Sequence, residues 1–507
     1  MEPTVLAANT LDFDRIPDGF KAQPVVAVIL PSVHYIAMME DQEKRSFNYH
    51  LLQHPSYSLA QPFRFDADAF VQQCIEYCRE KRVDSVMAFD CFPTLLASIV
   101  NQELSLPGPS FQSVFLCMSK YYMRLELTPE VPVTVTTGEQ PTSSPVVLKA
   151  GDTQFYVGTR LVPRAEQWQG VWDEVSGNLL LKGVERRQQF YLKWATKFGW
   201  AQEYGWKVAS DVKMVHIEPL FPNVAEYQME VVVLPDGTPK IADTGNIEHG
   251  PQGQATVFRT PATVTLTPVL REFLKGVVDK LVAKGYKGAA MDIEFLRLAG
   301  DKERYQLVEV NSRYSYMGNY IHFGHCARAK QSAAAITAQR SEQGKEVRNL
   351  VNRTRLSLAA PPLTLPCKDD IGKSKICAMI FTDIKGNLSD FFDTNAVNAM
   401  IEEQFIDAWI PKPVFLKGEV TDTDLVQYAG YAKVGCFNVT MFDADLPALN
   451  AKLAQVARRF FYGKDTGFLP IKVVDKDGDA PTNLHPDALN ESDVPNPSAP
   501  CCECCVQ

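Results

Sequence analysis

Two stretches decide the reading of this chain: Ala290-Met291-Asp292-Ile293-Glu294-Phe295-Leu296-Arg297-Leu298 and Tyr305-Gln306-Leu307-Val308-Glu309-Val310-Asn311-Ser312-Arg313, joined by a turn around Gly300-Asp301-Lys302-Glu303. In an extended chain successive side chains alternate between faces. Met291, Ile293 and Phe295 then face one way, and Asp292 and Glu294 the other. In the second stretch Val308 and Val310 oppose Leu307, Glu309 and Asn311. A loop at residues 300–303 sets Glu294 opposite Glu309 and Asp292 opposite Asn311, unless the register is shifted. Carboxylates facing each other on one sheet surface repel, and a cation between them removes the conflict. Hard divalent ions take carboxylate and amide oxygens, and Mg²⁺ combines one or two carboxylates with phosphate oxygens. The hairpin therefore reads as a platform for a metal and a phosphate group. Arg313, just beyond Asn311, is placed to hold an anion or developing negative charge. The alternative is the solvated outer face of a hairpin, where Glu and Asn are common.

Working outward, an apolar strand-length run at Val25–Leu30 precedes an amphipathic helix at Asp66–Lys81, with Phe70, Val71, Cys74, Ile75 and Cys78 at helical spacing. Another short apolar run, Val86–Phe89, precedes a helix at Leu95–Val100. This alternation predicts a small parallel α/β domain ending at the turn cluster Leu106-Pro107-Gly108-Pro109-Ser110. Beyond it the texture changes to hairpins. Glu226–Leu234 is a strand, Pro235-Asp236-Gly237 a turn, and Lys240–Ala242 resumes the pairing. Thr267–Lys284 reads as a helix. Strands are expected at Ile376–Phe381 and Phe437–Met441, and a helix at Leu446–Phe461. The 507 residues suit about three domains, with 46% hydrophobic and 22% charged residues as in globular proteins. A net charge of −9 gives no broad basic face, so nucleic acid is not an expected partner. No run approaches ~18 apolar residues, and Met1-Glu2-Pro3 opens no secretory signal. A cytoplasmic location is expected.

Several further segments, with the hairpin, resemble the ATP-grasp superfamily, in particular its biotin-carboxylase-like and carboxylate–amine ligase branch. Glu294-Phe295-Leu296 followed by Glu309-Val310-Asn311-Ser312-Arg313 is similar to that family's metal signature. The segment from Leu106 through Ser119-Lys120-Tyr121-Tyr122-Met123-Arg124 resembles the end of a pre-ATP-grasp domain and the start of the grasp. Pro145-Val146-Val147-Leu148-Lys149 looks like the strand of the second nucleotide lysine. Val215-His216-Ile217-Glu218-Pro219-Leu220-Phe221 looks like the linker whose backbone pairs with adenine. The resemblance implies a fold of α/β and α+β parts. These are an extension (1–23), a pre-ATP-grasp α/β domain (24–112), a two-lobed ATP-grasp domain (113–335), a helical connection (336–369), a small C-terminal α+β lobe (370–475) and a disordered Cys-rich tail (476–507). It also implies roles: Lys120 and Lys149 on the nucleotide phosphates, Glu218 and Leu220 at the adenine, Glu226 at the ribose, and Glu294, Glu309 and Asn311 on Mg²⁺, with Mn²⁺ as a substitute. Arg313 is the catalytic residue in this scheme. It would steady an acyl phosphate in the ATP-dependent joining of a small carboxylate, such as an amino acid, to an amine. Carboxylase-like relatives are often dimers, so a homodimer is one expectation, with the oligomeric state left open by the sequence. Two other functions stay open: a bicarbonate-using carboxylase-like enzyme, and a catalytically weak ATP-binding module.

The sequence departs from the family at three points. The segment after Lys149, Gly151–Thr159, carries Phe155 and Tyr156 where a glycine-rich flap is usual. Asp90-Cys91-Phe92-Pro93 stands where many members place a glutamate. No lysine framed by methionines marks a biotin-attachment domain. His322 and His325 beside Cys326 are read as packing or substrate contact. His249 and Arg259 are read as residues of surface loops, with the lining of an acceptor pocket as the alternative. The tail residues Cys501, Cys502, Cys504 and Cys505 invite reversible acylation and a membrane tether, with an unmodified tail as the alternative.

Overall fold

The computed structural model describes residues 25–31, 48–57, 65–136, 138–142, 145–150, 159–162, 164–177, 184–203, 215–221, 224–249, 255–260, 262, 264–298, 302–313 and 315, and, after 374, the strands between 375 and 442 with isolated residues as far as 459. The expected extension, the 151–158 flap, the His322–His325 pair, the helical connection and the Cys-rich tail lie outside the described residues, as does most of the helix expected at Leu446–Phe461.

The chain opens with a three-stranded parallel sheet. Strand β1 (Val25–Ile29) is flanked by β2 (Asn48–Leu52) and β3 (Ser85–Met87). A central parallel strand is covered on both faces, and β1 is accordingly Val-Val-Ala-Val-Ile. Strand β2, Asn-Tyr-His-Leu-Leu, has no such run, and nothing in its local sequence announces it. Helix α1 (Ala67–Lys81) starts where Asp66 accepts the N–H groups of Asp68 and Ala69. It stops at Arg82, whose φ of 51° is left-handed. Its apolar stripe, from Phe70 to Cys78, is buried. Helix α2 (Cys91–Leu104) is tied to β3 by one side chain: Asn101 accepts the Val86 N–H (3.2 Å) and donates to the Val86 carbonyl (2.9 Å).

Two short helices follow, α3 (Phe111–Met118) and α4 (Lys120–Leu127). Then comes a second sheet of strands β4 (Thr134–Val135), β5 (Val146–Ala150), β6 (Thr159–Val162) and, after helices α5 (Trp168–Gly177) and α6 (Val184–Lys197), β7 (Val215–Pro219). Its order is β4-β7-β5-β6, all antiparallel. The third sheet has nine described strands. Strands β8 (Ala225–Val233), β9 (Pro239–His249) and β10 (Ala255–Thr260) precede helix α7 (Pro268–Ala283). Strands β11 (Ala289–Leu298), β12 (Arg304–Asn311) and β13 (Lys375–Thr382) follow it, and the described order runs β12-β11-β8-β9-β10-β13, then Tyr431–Phe442 and Ala408–Pro411, with Val426–Tyr428 pairing Tyr431–Phe442 off this path. Helix α7 closes one face of the sheet. Its Phe273 ring meets Phe295 and Tyr305 at centroid distances of 6.1 and 5.9 Å. The opposite face, at β12, β11 and β8, carries the polar residues.

Two loop expectations change. Strand β9 runs to His249, so that residue ends a strand rather than lying in a loop. Arg259 lies within β10, opposite Asn246 of β9, and is buried.

Candidate active site

The hairpin register expected from the turn holds where it matters: Asp292 faces Asn311, and Glu294 faces Glu309. It then shifts, because a β-bulge leaves Val308 without a partner and pairs Phe295 with Leu307. Leu307, read from the sequence as sharing the face of Glu309, is instead buried with Phe295. The bulge also releases the Val308 carbonyl, which accepts a hydrogen bond from Arg124 (2.8 Å).

Asn311 is the hub of this face. Its Nδ2 donates to Glu294 Oε1 (3.1 Å), Asp292 Oδ2 (3.2 Å) and Glu309 Oε1 (3.3 Å). Its Oδ1 accepts from Arg313 Nη2 and from the Cys91 thiol, both at 3.3 Å. Cys91 thus reaches the site from the first turn of α2. Burial holds that thiol above its ordinary pKa, so it is a neutral donor. The acids differ. Burial, then the charges of Glu309 and Glu226, hold Glu294 well above the usual carboxylate range. Glu309 is pulled down to about 2: burial opposes this, but the Lys120 ammonium bonded to it prevails.

Lys120 comes from the start of α4, and Arg124 lies one turn along the same helix face. Lys149 comes from β5. Lys149 Nζ and the Arg124 guanidinium converge on Glu218 of β7: Lys149 at 2.9 Å, Arg124 Nε at 2.8 Å and Arg124 Nη2 at 2.9 Å. His216, on the same face of β7, lies 3.0 Å from Glu218 Oε1. Burial lowers its pKa, so the neutral ring donates through Nε2. Burial pushes the Glu218 carboxyl up, but Lys149, Arg124 and His216 together hold it well below its ordinary value.

The site residues read from the sequence are therefore brought together in part. Lys120, Glu294, Glu309, Asn311 and Arg313 form one connected group. Lys149 reaches Glu218 rather than this group directly. Glu218 turns its side chain inward onto cations. The Leu220 N–H, expected to read adenine, is donated to the Pro145 carbonyl (3.2 Å), so it is not an exposed donor. Glu226 lies on β8 opposite Leu296, on the carboxylate face, where its charge acts on Glu294. Arg124, His216 and Cys91 were not singled out as site residues. Arg124 alone had a signal, its helical spacing from Lys120.

The donor set fits a divalent ion completed by phosphate. Two facing carboxylates are the right ligands; Asn311 turns its Nδ2 toward them and would turn its Oδ1 inward to serve as a third, and the raised Glu294 marks a face short of positive charge. Among the described residues no three His, Cys, Asp or Glu side chains form a cage by themselves.

In fold the described chain is similar to solved ATP-grasp ligases. Among solved structures, L-amino acid ligase from Bacillus licheniformis matches with a TM-score of 0.53 at 12% identity, over 87% of this chain and 98% of its own. N5-carboxyaminoimidazole synthase from Aspergillus clavatus, in complex with ADP and 5-aminoimidazole ribonucleotide, matches with 0.52 at 13% identity, over 86% and 98%. The ADP complex of purK, N5-carboxyaminoimidazole ribonucleotide synthetase, matches with 0.50 at 13% identity, over 86% and 97%. At such identities the likeness is one of fold. No family model and no curated protein matches the sequence.

Proposed function

We propose that the protein is an ATP-dependent ligase that joins the carboxylate of an amino acid or other small acid to an amine. One observation carries this reading. An ammonium from α4 meets, on a single sheet face, two facing carboxylates and an amide that lead on to an arginine. Glu294, Glu309 and Asn311 would hold Mg²⁺ or Mn²⁺, which supplies charge neutralisation on the phosphates.

Lys120 would leave Glu309 for the triphosphate, and Lys149 would add a second positive charge. The substrate carboxylate attacks the γ-phosphorus, ADP leaves, and an acyl phosphate forms. The amine then attacks the acyl carbon and inorganic phosphate departs. Arg313 would hold the carboxylate first and the tetrahedral oxyanion later. Positioning and electrostatics dominate such transfers, so removal of one charged group should be costly.

Glu309→Gln is expected to lower ADP release in the presence of acid and amine mixtures by about 10²–10³-fold. Its circular dichroism spectrum should match the wild type. Equal turnover in this variant would sink the site assignment. ADP release that required bicarbonate instead of an organic acid would move the reading to carboxylase chemistry.

A further inference from the structure

The face that carries Glu294, Glu309 and Asn311 continues one residue deeper. Asp292 stands opposite Asn311 on one side and opposite Glu230 of β8 on the other. Both acids are wholly buried, at 0% exposure. Glu230 Oε1 accepts from Gln228 Nε2 (2.7 Å) and from the Ser315 N–H (2.9 Å). Asp292 Oδ2 accepts from Asn311 (3.2 Å), but Asp292 Oδ1 has no hydrogen-bond donor among the described residues. A carboxylate oxygen closed off from water without a donor is expensive. Its position, between two strands and facing a second acid, calls for a compact cationic donor.

The other side of Asn311 has the opposite polarity. Arg313 donates to Asn311 Oδ1 (3.3 Å). A single amide therefore separates a guanidinium from a pair of carboxylates. A zwitterionic α-amino acid has the complementary layout, with a carboxylate for Arg313 and an ammonium for the acids. An ammonium also offers an N–H donor to Asp292 Oδ1.

We propose that Asp292 and Glu230 form an ammonium pocket, so that the acid activated at this site is an α-amino acid rather than a simple carboxylic acid. This rests on the ligase reading and specifies its substrate class.

The test measures hydroxamate and ADP formed from MgATP and hydroxylamine, which traps an acyl phosphate. Matched acids are compared: L-alanine with propionate, and L-leucine with 4-methylpentanoate. The wild type should favour the amino acid by about 10²-fold or more in kcat/KM, because the unaminated acid leaves the buried carboxylates unmatched. Asp292→Asn, nearly the same shape, should cut that preference by about 10-fold or more and raise the KM for the amino acid. Glu230→Gln should reduce the preference in the same direction, and it carries the test if Asp292→Asn does not fold. A wild type that uses both acids equally well overturns the pocket while leaving the ligase reading intact. A preference that survives both substitutions, with a raised Mg²⁺ requirement in Asp292→Asn, assigns Asp292 to the metal and also overturns it. A wild type that releases ADP with neither acid removes the ligase reading, and this inference with it.

Discussion

Glu218 governs two buried cations, Lys149 and Arg124. It is buried, it bonds Lys149 and both arms of Arg124, and the neutral His216 donates to it. Burial alone depresses the Lys149 pKa, and the neighbouring Arg124 and Lys120 charges add to that; Glu218 is the counterweight. In Glu218→Gln two buried cations lose their anion. Truncating one partner of a buried pair typically costs ~3–5 kcal/mol, which urea unfolding should show. Phosphate binding should weaken as well, raising the KM for MgATP by ~10-fold or more, a loss of about 1.4 kcal/mol. The pH dependence has a definite sign. Glu218 titrates lower folded than unfolded, so its contribution is complete above the unfolded value of about 4.3 and is lost as pH falls below it. The stability gap between wild type and Glu218→Gln should therefore narrow progressively in acid. A gap that stays constant from pH 7 to pH 3 would mean that Glu218 is not ionised in the folded state. Lys149 was legible in the sequence as a lysine ending an apolar strand. Its pairing with Arg124 through Glu218 was not, because nothing local states which face a helix turns toward a strand 94 residues away.

At the level of the element, alternation and turn position sufficed to place Glu294 against Glu309, because side-chain period and loop length fix a hairpin's register. They failed at Val308 and Leu307, because a bulge is stabilised by groups from elsewhere, here the Arg124 guanidinium on the released carbonyl. The same sheet shows a second dependence between strands. Gly245 of β9 has no side chain, and the Phe258 ring of β10 lies across the space one would fill. Phe258 is itself fully buried, so its ring has no free volume to enter. Gly245→Ala should overpack the sheet at a cost of about 1–3 kcal/mol, read as a fall in melting temperature. Adding Phe258→Leu should restore part of the loss if the clash is the cause, since contacting residues are not additive. A double variant as unstable as the sum of the two single ones would place the cause elsewhere. Gly245 gave no warning in the sequence: a glycine in a strand marks a close approach only once the neighbouring ring is known.

For the whole molecule, the sequence marks a boundary before residue 370, where prolines crowd at 361, 362 and 366. Composition sees punctuation along the chain but not pairing across it. The structure carries the site's sheet through that point: β10 pairs with β13 from Val257–Ala378 to Thr260–Lys375. Phe258 is matched with Cys377, and both are buried. The C-terminal strands therefore protect an edge of the sheet that carries Glu294 and Glu309. A chain ending at residue 369 would leave β10 with unpaired backbone groups and an apolar pair, Val257 and Phe258, on that edge. Such an edge is a template for pairing with another chain. The truncated protein should therefore elute as dimers and larger species in size-exclusion chromatography with light scattering. It should melt well below the full chain. Two charged residues introduced along β10, Val257→Lys and Thr260→Glu, should suppress the association without restoring the melting temperature, because they block edge pairing but replace none of the lost strand. A truncated chain that matched the full-length protein in both size and melting temperature would show that the sheet closes without its C-terminal strands, and that the boundary before residue 370 is a true one.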